Sequence, residues 1–290
     1  MPARIIFRFL SLLPLSWLHA LGGWVGRIVW WGSPGHRRRV LASLEQALGT
    51  YDEHMLDAVI AESGRQMLEL PFVWLRPYHE VLSRVVRVEG LELLERLRED
   101  DASVLLIMPH LGCFEMCCQY LCSRWPITAL FRPPRQAALL PYMQKGRARA
   151  NFNVARADVS GVRRLVRALR TGEMVVILPD QVPKKGEGMW VPFFGRPAWT
   201  MTLAARLSEM EGVSTVMMCA ERLPRGGGYV LRFSAPVTPI TGTLAERCAA
   251  INRELERLIL ECPSQYMWGY DRYKRPSGVA AAGESRSDPR

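Results

Sequence analysis

At 290 residues the chain is long enough to bury a sizeable core as one large α/β domain, alone or with a small appendage. Its formal net charge of +10 suits partners carrying negative charge: nucleic acid, anionic lipid head groups or an acidic carrier protein. No RNP-like, zinc-finger or helix-turn-helix pattern is present, which argues against nucleic acid. Seven cysteines include four (Cys113, Cys117, Cys118, Cys122) in one helical stretch without a C-x2-C pair. They read as small core hydrophobes in a reducing compartment, with no metal or redox site.

The first forty residues are the most hydrophobic. From Phe9 to Gly26 the only ionisable group is His19, and the run fits either a single crossing helix or one lying in the bilayer interface. Trp17, Trp24, Trp30 and Trp31 suit an aromatic belt, and the basic cluster His36-Arg37-Arg38-Arg39 after the run would keep the body of the protein cytoplasmic. A cleaved signal peptide and a buried helical pair of a soluble protein are the rival readings.

From Arg39 to about Arg76 apolar residues recur at three-to-four spacing, the helical pattern. Val85 to Val88 predicts a short strand, Leu91 to Arg98 a helix, and Ser103 to Met108 a buried strand, followed by helical composition over Glu115 to Cys122. His110 therefore stands at the carboxyl end of a strand, where open α/β sheets place ligand crevices. Five residues of helix turn the chain through roughly 500°, which would leave His110 and Glu115 about 140° apart on one helix. With His110 in a loop that turns at Gly112, and Glu115 in the first helical turn, the carboxylate is expected to fold back onto the imidazole. That would fix the tautomer and leave the other ring nitrogen free to take a proton from a hydroxyl. The competing reading makes His110 a loop filler and Glu115 a solvated first-turn acid.

Ile127 to Phe131 predicts a strand running into Arg132-Pro133-Pro134-Arg135, a stiff loop with two guanidinium groups able to grip phosphate or carboxylate. Helices are expected over Gln136 to Arg149 and Val159 to Arg170. The second of these sets Arg163, Arg164, Arg167 and Arg170 on one face, which is either a solvated surface or a dock for an acidic carrier or an anionic membrane. Met174 to Leu178 predicts a buried strand ending in Pro179-Asp180-Gln181. A basic loop from Lys184, an apolar turn-rich run over Val191 to Thr200, and a helix from Met201 to Met210 come next. Strands are expected at Val213 to Ala220 and Tyr229 to Ser234, hairpin-linked, then a helix over Leu244 to Leu260 and a disordered tail over 276–290.

In this order and at these separations, His110-Leu-Gly-Cys-Phe-Glu115, Phe131-Arg-Pro133, Leu178-Pro-Asp-Gln181, Val191-Pro-Phe-Phe-Gly195 and Gln265-Tyr-Met-Trp268 with Arg272 resemble the late acyltransferases of lipid A biosynthesis. These are the lauroyl and myristoyl transferases of the wider lysophospholipid acyltransferase superfamily, and the resemblance covers roughly residues 5 to 275. It implies an α/β fold with a central mixed sheet flanked by helices. An N-terminal membrane anchor (1–35) would precede an acyltransferase domain (36–275), placed on the cytoplasmic side of the cell inner membrane.

It further implies an acyl carrier protein as donor, a lipid A precursor or related glycolipid as acceptor, and no cofactor. His110 would be the general base and Glu115 its orienting partner. A positioned base contributes on the order of 10² to 10⁴ in rate. The substrate-binding candidates are Arg132, Arg135, Asp180, Gln181, Lys184 and Arg196, and the backbone amides of Leu111 and Gly112 are candidate oxyanion donors. Ser43 stands where the family pattern has asparagine, and the proline punctuation that often follows is missing. The acceptor is therefore left open to another glycolipid or an aminolipid, and a non-catalytic lipid-binding protein of the same fold is the rival of a different class.

Overall fold

The computed structural model describes residues 2–132, 137–149 and 151–283. Pro14 breaks the apolar N-terminal stretch into two helices, α1 (Pro2–Leu12) and α2 (Leu15–Gly32). No helix among the described residues is long and apolar enough to cross a membrane, so the expected crossing helix is not seen. Helices α3 (Pro34–Leu48), α4 (Glu53–Leu68), α5 (Leu70–Leu75) and α6 (Tyr78–Leu82) follow. Helix α2 lies against α4 at backbone contact: a Cβ added at Gly26 would stand 2.1 Å from the Ile60 carbonyl oxygen.

The α/β body then unfolds as β1 (Val85–Glu89), α7 (Leu91–Glu99), β2 (Ser103–Ile107), α8 (Phe114–Cys122), β3 (Ile127–Phe131) and α9 (Leu140–Arg147). It continues through β4 (Phe152–Arg156), α10 (Val159–Arg170), β5 (Met174–Ile177) and a separate hairpin, β6 (Gly188–Phe193) with β7 (Arg196–Met201). Helix α11 (Leu203–Leu207), strands β8 (Val213–Arg222) and β9 (Tyr229–Ser234), and α12 (Leu244–Glu261) complete it.

Seven strands form one sheet in the order β1-β9-β8-β2-β5-β3-β4. Only β8 and β9 pair antiparallel, so the sheet is mixed, as expected. Its central strands are buried on both faces and read as unbroken apolar runs for that reason. The alternation is visible in β2: Val104 and Leu106 pack with α5 and α8 residues such as Phe72 and Met116, whereas Leu105 and Ile107 pack with Leu165 of α10 and Leu255 of α12.

Three expectations need adjustment. The helix expected from Gln136 starts at Leu140, after a short 3-10 turn. The one expected over Met201 to Met210 shrinks to α11. The apolar run over Val191 to Thr200 is the β6–β7 hairpin, in which Pro192 faces Pro197. A two-stranded ribbon tolerates these prolines because each strand has an edge that needs no ladder donor. Cys113 and the cysteines of α8 that follow it are buried without disulfides, and burial pushes the thiols of Cys113, Cys117 and Cys118 up.

A buried charge cluster ties the N-terminal helices to the sheet. Arg222, at the end of β8, is ion-paired with Glu69 and Glu62, and Tyr229 Oη donates to Glu69 at 3.0 Å. Burial opposes ionisation of the Glu69 carboxyl, but Arg222 and His19 outweigh it and hold its pKa down to about 2.

Candidate active site

The site grows out of the register between two adjacent parallel strands. β2 and β5 pair Leu105 with Val175, Leu106 with Val176 and Ile107 with Ile177, and each strand leaves the sheet through an apolar residue, a proline and a polar residue. One exit is Met108-Pro109-His110 and the other Leu178-Pro179-Asp180. Proline cannot donate to the ladder, so both strands stop there. Equal offsets from a paired residue on neighbouring strands end side by side, roughly one strand spacing apart. His110 and Asp180 are thereby brought together across seventy residues of chain.

The contact is bidentate. Asp180 Oδ1 is 2.7 Å from His110 Nδ1, and Oδ2 accepts the His110 backbone N–H at 2.8 Å. Asp180 is only 2 % exposed. Burial alone would raise its pKa, yet the His110 charge, the hydrogen bonds from His110 and the more distant Arg272 hold the carboxyl below its ordinary value. An ionised carboxylate only accepts, so Nδ1 carries a proton. Gln181 Nε2 stands 3.2 Å from the other ring nitrogen, His110 Nε2, and the Phe114 ring meets the imidazole edge-on at 5.0 Å.

The loop bearing His110 is fixed from several directions. Gly112 sits at φ +55, and a Cβ there would lie 1.9 Å from the Ala220 carbonyl oxygen, so only glycine fits. The Gln66 amide donates to the carbonyls of His110 and Gly112 at 3.4 and 3.2 Å, and the Met267 N–H donates to the His110 carbonyl at 3.2 Å. The Leu111 and Gly112 amides are themselves engaged, with the Pro109 carbonyl at 2.8 Å and the Gln265 carbonyl at 3.1 Å.

Glu115 does not meet the expectation that it folds back onto His110. It is buried at the start of α8, ion-paired with Arg147 of α9, and accepts the Trp74 indole N–H of α5 at 3.1 Å. The physical reason is the face of the sheet: α8, α5 and α9 share one side, so the first turn of α8 aims its acid at them, while the imidazole leans toward β5. Burial disfavours the Arg147 guanidinium, but the Glu115 carboxylate more than restores it and raises its pKa. Arg147 also lies over the Phe131 and Phe152 rings, 5.8 and 5.9 Å from their centroids.

His110 and Arg147 open into the same cavity of about 520 Å³, with Arg132 and Gln181 on its wall beside Leu130, Ala157 and Met201. Lys184 lies in an adjoining cavity of about 500 Å³ that shares Leu130, Arg132, Ala157 and Met201. Arg196 stacks on the Tyr273 ring at 4.7 Å and borders neither cavity. Arg135 lies outside the described residues. Asp180 and Gln181, expected to bind substrate, stand beside the two ring nitrogens of His110, and Gln181 also lines its cavity. Arg147, Tyr270 and Lys274 of the cavity wall have no signal in the sequence: an arginine in an exposed-looking helix and a late aromatic-basic run carry no spacing that ties them to His110. The repeated exit from Ile107 and Ile177 through proline to His110 and Asp180 was a signal that pointed to the Asp180 contact.

The sequence matches the model of the bacterial lipid A biosynthesis acyltransferase family over residues 3–275. It is 27 % identical over 276 residues to a lipid A biosynthesis lauroyltransferase of Escherichia coli, an alignment covering 92 % of this chain and 89 % of that protein. It is 26 % identical over 253 residues to the palmitoleoyltransferase of the same organism (84 % and 82 %), and 22 % identical over 260 residues to the myristoyltransferase (87 % and 78 %). Taken with the imidazole and carboxylate at the carboxyl ends of adjacent strands, these matches place the chain in the bacterial lipid A biosynthesis acyltransferase family.

Proposed function

We propose that this acyltransferase moves a fatty acyl chain from acyl carrier protein to a hydroxyl of a lipid A precursor at the cytoplasmic face of the inner membrane, with His110 as general base. The observation that carries the reading is that His110 lines a cavity while its Nδ1 is tied to a buried carboxylate. The acceptor hydroxyl gives its proton to Nε2 as its oxygen attacks the thioester carbonyl. Asp180 stabilises the imidazolium that forms. Collapse of the tetrahedral intermediate breaks the C–S bond, and the imidazolium returns the proton to the leaving thiolate, so the base is regenerated.

The developing oxyanion needs a donor, and the Arg147 guanidinium, on the same wall and locked by Glu115, is the group the geometry supports. Glu115 then acts through Arg147, and Asp180 takes the orienting role.

A membrane setting is supported by the N-terminal helices. Trp17, Leu21, Trp24, Ile28 and Trp31 recur at four-and-three spacing along α2 and are all exposed, Trp31 at 75 %, next to exposed Ile5, Ile6, Phe9 and Leu12 of α1. An apolar, tryptophan-rich face of this kind lies in the interface plane of a bilayer. The test is turnover of an acyl carrier protein thioester with a lipid A precursor in mixed micelles, followed by free thiol and by the mass of the lipid. Wild type releases thiol and adds one acyl chain, and His110→Ala does neither; retained transfer by His110→Ala overturns the mechanism.

A further inference from the structure

The exposed arginine face of α10 has a physical connection to His110. α10 turns Gly161, Leu165, Ala168 and Leu169 into the core and leaves Arg163, Arg164, Arg167 and Arg170 exposed. Among the described residues none of the four is ion-paired with an acidic side chain; Arg164 donates to Asn153 Oδ1 at 3.2 Å. Three of them border a surface groove of about 700 Å³ whose one acid, Glu173, is engaged by Thr128 Oγ1 at 2.6 Å. At the other end of the helix, Val159 and Val162 of its first turn wall the 500 Å³ cavity that shares Leu130, Arg132, Ala157 and Met201 with the His110 cavity. Two adjoining cavities therefore lie between α10 and the imidazole, and the one at α10 carries three cations, Arg132, Lys184 and Arg206, against two acids, Asp158 and Glu187.

We infer that the Arg163/Arg164/Arg167/Arg170 face of α10 docks the acidic surface of the acyl carrier protein, and that the cavity beside Val162 admits its phosphopantetheine arm, with Arg132, Lys184 and Arg206 facing the phosphodiester. The inference rests on the acyl-transfer reading above. A bilayer is the less fitting partner for this face. Most of the exposed large apolar residues among those described lie on α1 and α2, whereas α10 shows one, Val159. On the α2 side, moreover, the His110 cavity shares Met267 and Tyr270 with a separate apolar cavity of about 260 Å³ beside Trp30 and Ile60. Donor and lipid thus have different approaches. Charge complementarity of this sort speeds and selects the encounter, and it weakens with salt.

The test compares kcat/KM for one acyl chain carried on acyl carrier protein and on carrier-free pantetheine, in wild type and in the double reversal Arg163→Glu/Arg167→Glu. The ratio of carrier-bound to carrier-free kcat/KM is expected to fall at least tenfold, with the loss concentrated in KM and diminished at high salt. An unchanged ratio overturns the docking face, and so does an unchanged ratio accompanied by weaker binding to phosphatidylglycerol vesicles, which would assign the arginines to the membrane. Val162→Trp is expected to lower kcat/KM for both thioesters; no effect on either overturns the entry of the arm through this cavity. Failure of wild type to consume any thioester would refute the acyl-transfer reading itself, an outcome distinct from these.

Discussion

Two buried carboxylates frame the site, and they do opposite jobs. Asp180, seventy residues away in the chain, clasps His110 through its ring and its backbone; Glu115, five residues away, turns to Arg147 and Trp74. Each is 2 % exposed, so neither could stay ionised unpaired. Register between parallel strands, which fixes position to within a strand spacing, places Asp180. A helix start, which commits its first turn to whatever covers that sheet face, places Glu115. Nearness in sequence decides less than which face of the sheet a side chain is delivered to.

Substitution separates the two roles most sharply at Asp180. Asp180→Asn keeps the shape but removes the charge that stabilises the imidazolium, and the amide can turn its N–H₂ toward Nδ1 and favour the wrong tautomer. The expected outcome is a loss of about 10² to 10⁴ in kcat with KM little changed, measured by thiol release from the acyl carrier protein thioester. A loss below tenfold would move the orienting role away from Asp180.

At Glu115 the expected damage is to stability first. Glu115→Ala strands a buried guanidinium, and removing one partner of a buried pair costs about 3 to 5 kcal/mol, read as a lowered denaturant midpoint. Replacing both partners, Glu115→Leu with Arg147→Met, should recover most of that stability while leaving kcat depressed, because the cavity has lost its cation. Full activity in the stable double variant would show that Arg147 has no part in charge stabilisation.

Much of this architecture is legible in the sequence, for reasons that differ by element. β2, β3 and β5 are buried on both faces and so appear as apolar runs, and α10 and α12 carry helical periodicity with Asp158 and a Thr243/Glu246 capping box at their starts. β4 escapes notice because it is a five-residue edge strand with Asn153 and Arg156 in it, and an edge needs only one covered face. Helix α2 reads as one apolar run in the sequence because one side is exposed and apolar while the other is glycine-rich to approach α4, a distinction invisible in hydropathy. The Asp180 contact needs strand pairing, which is a long-range fact, although the twin proline exits from β2 and β5 hint at it. Arg147 is recognisable only once α9 is folded over α8.

The smallest expected effect is on acid stability, and it again distinguishes the two carboxylates. The folded pKa of Asp180 lies below the ordinary 3.8. A depressed value means that the unfolded chain takes up the proton first, so the stabilisation is fully present above the unfolded pKa and is lost as pH falls through the folded one. Glu69, held at about 2 against an ordinary 4.5 by Arg222, contributes with the same sign and is common to wild type and Asp180→Asn. The difference between these two proteins therefore isolates Asp180. Below about 4, wild type should lose stability more steeply, by at most about 1.4 kcal/mol per pH unit for one proton. Parallel curves down to the lowest pH at which both remain folded would mean that Asp180 is not ionised beside His110, and would remove the acceptor that fixes the proton on Nδ1.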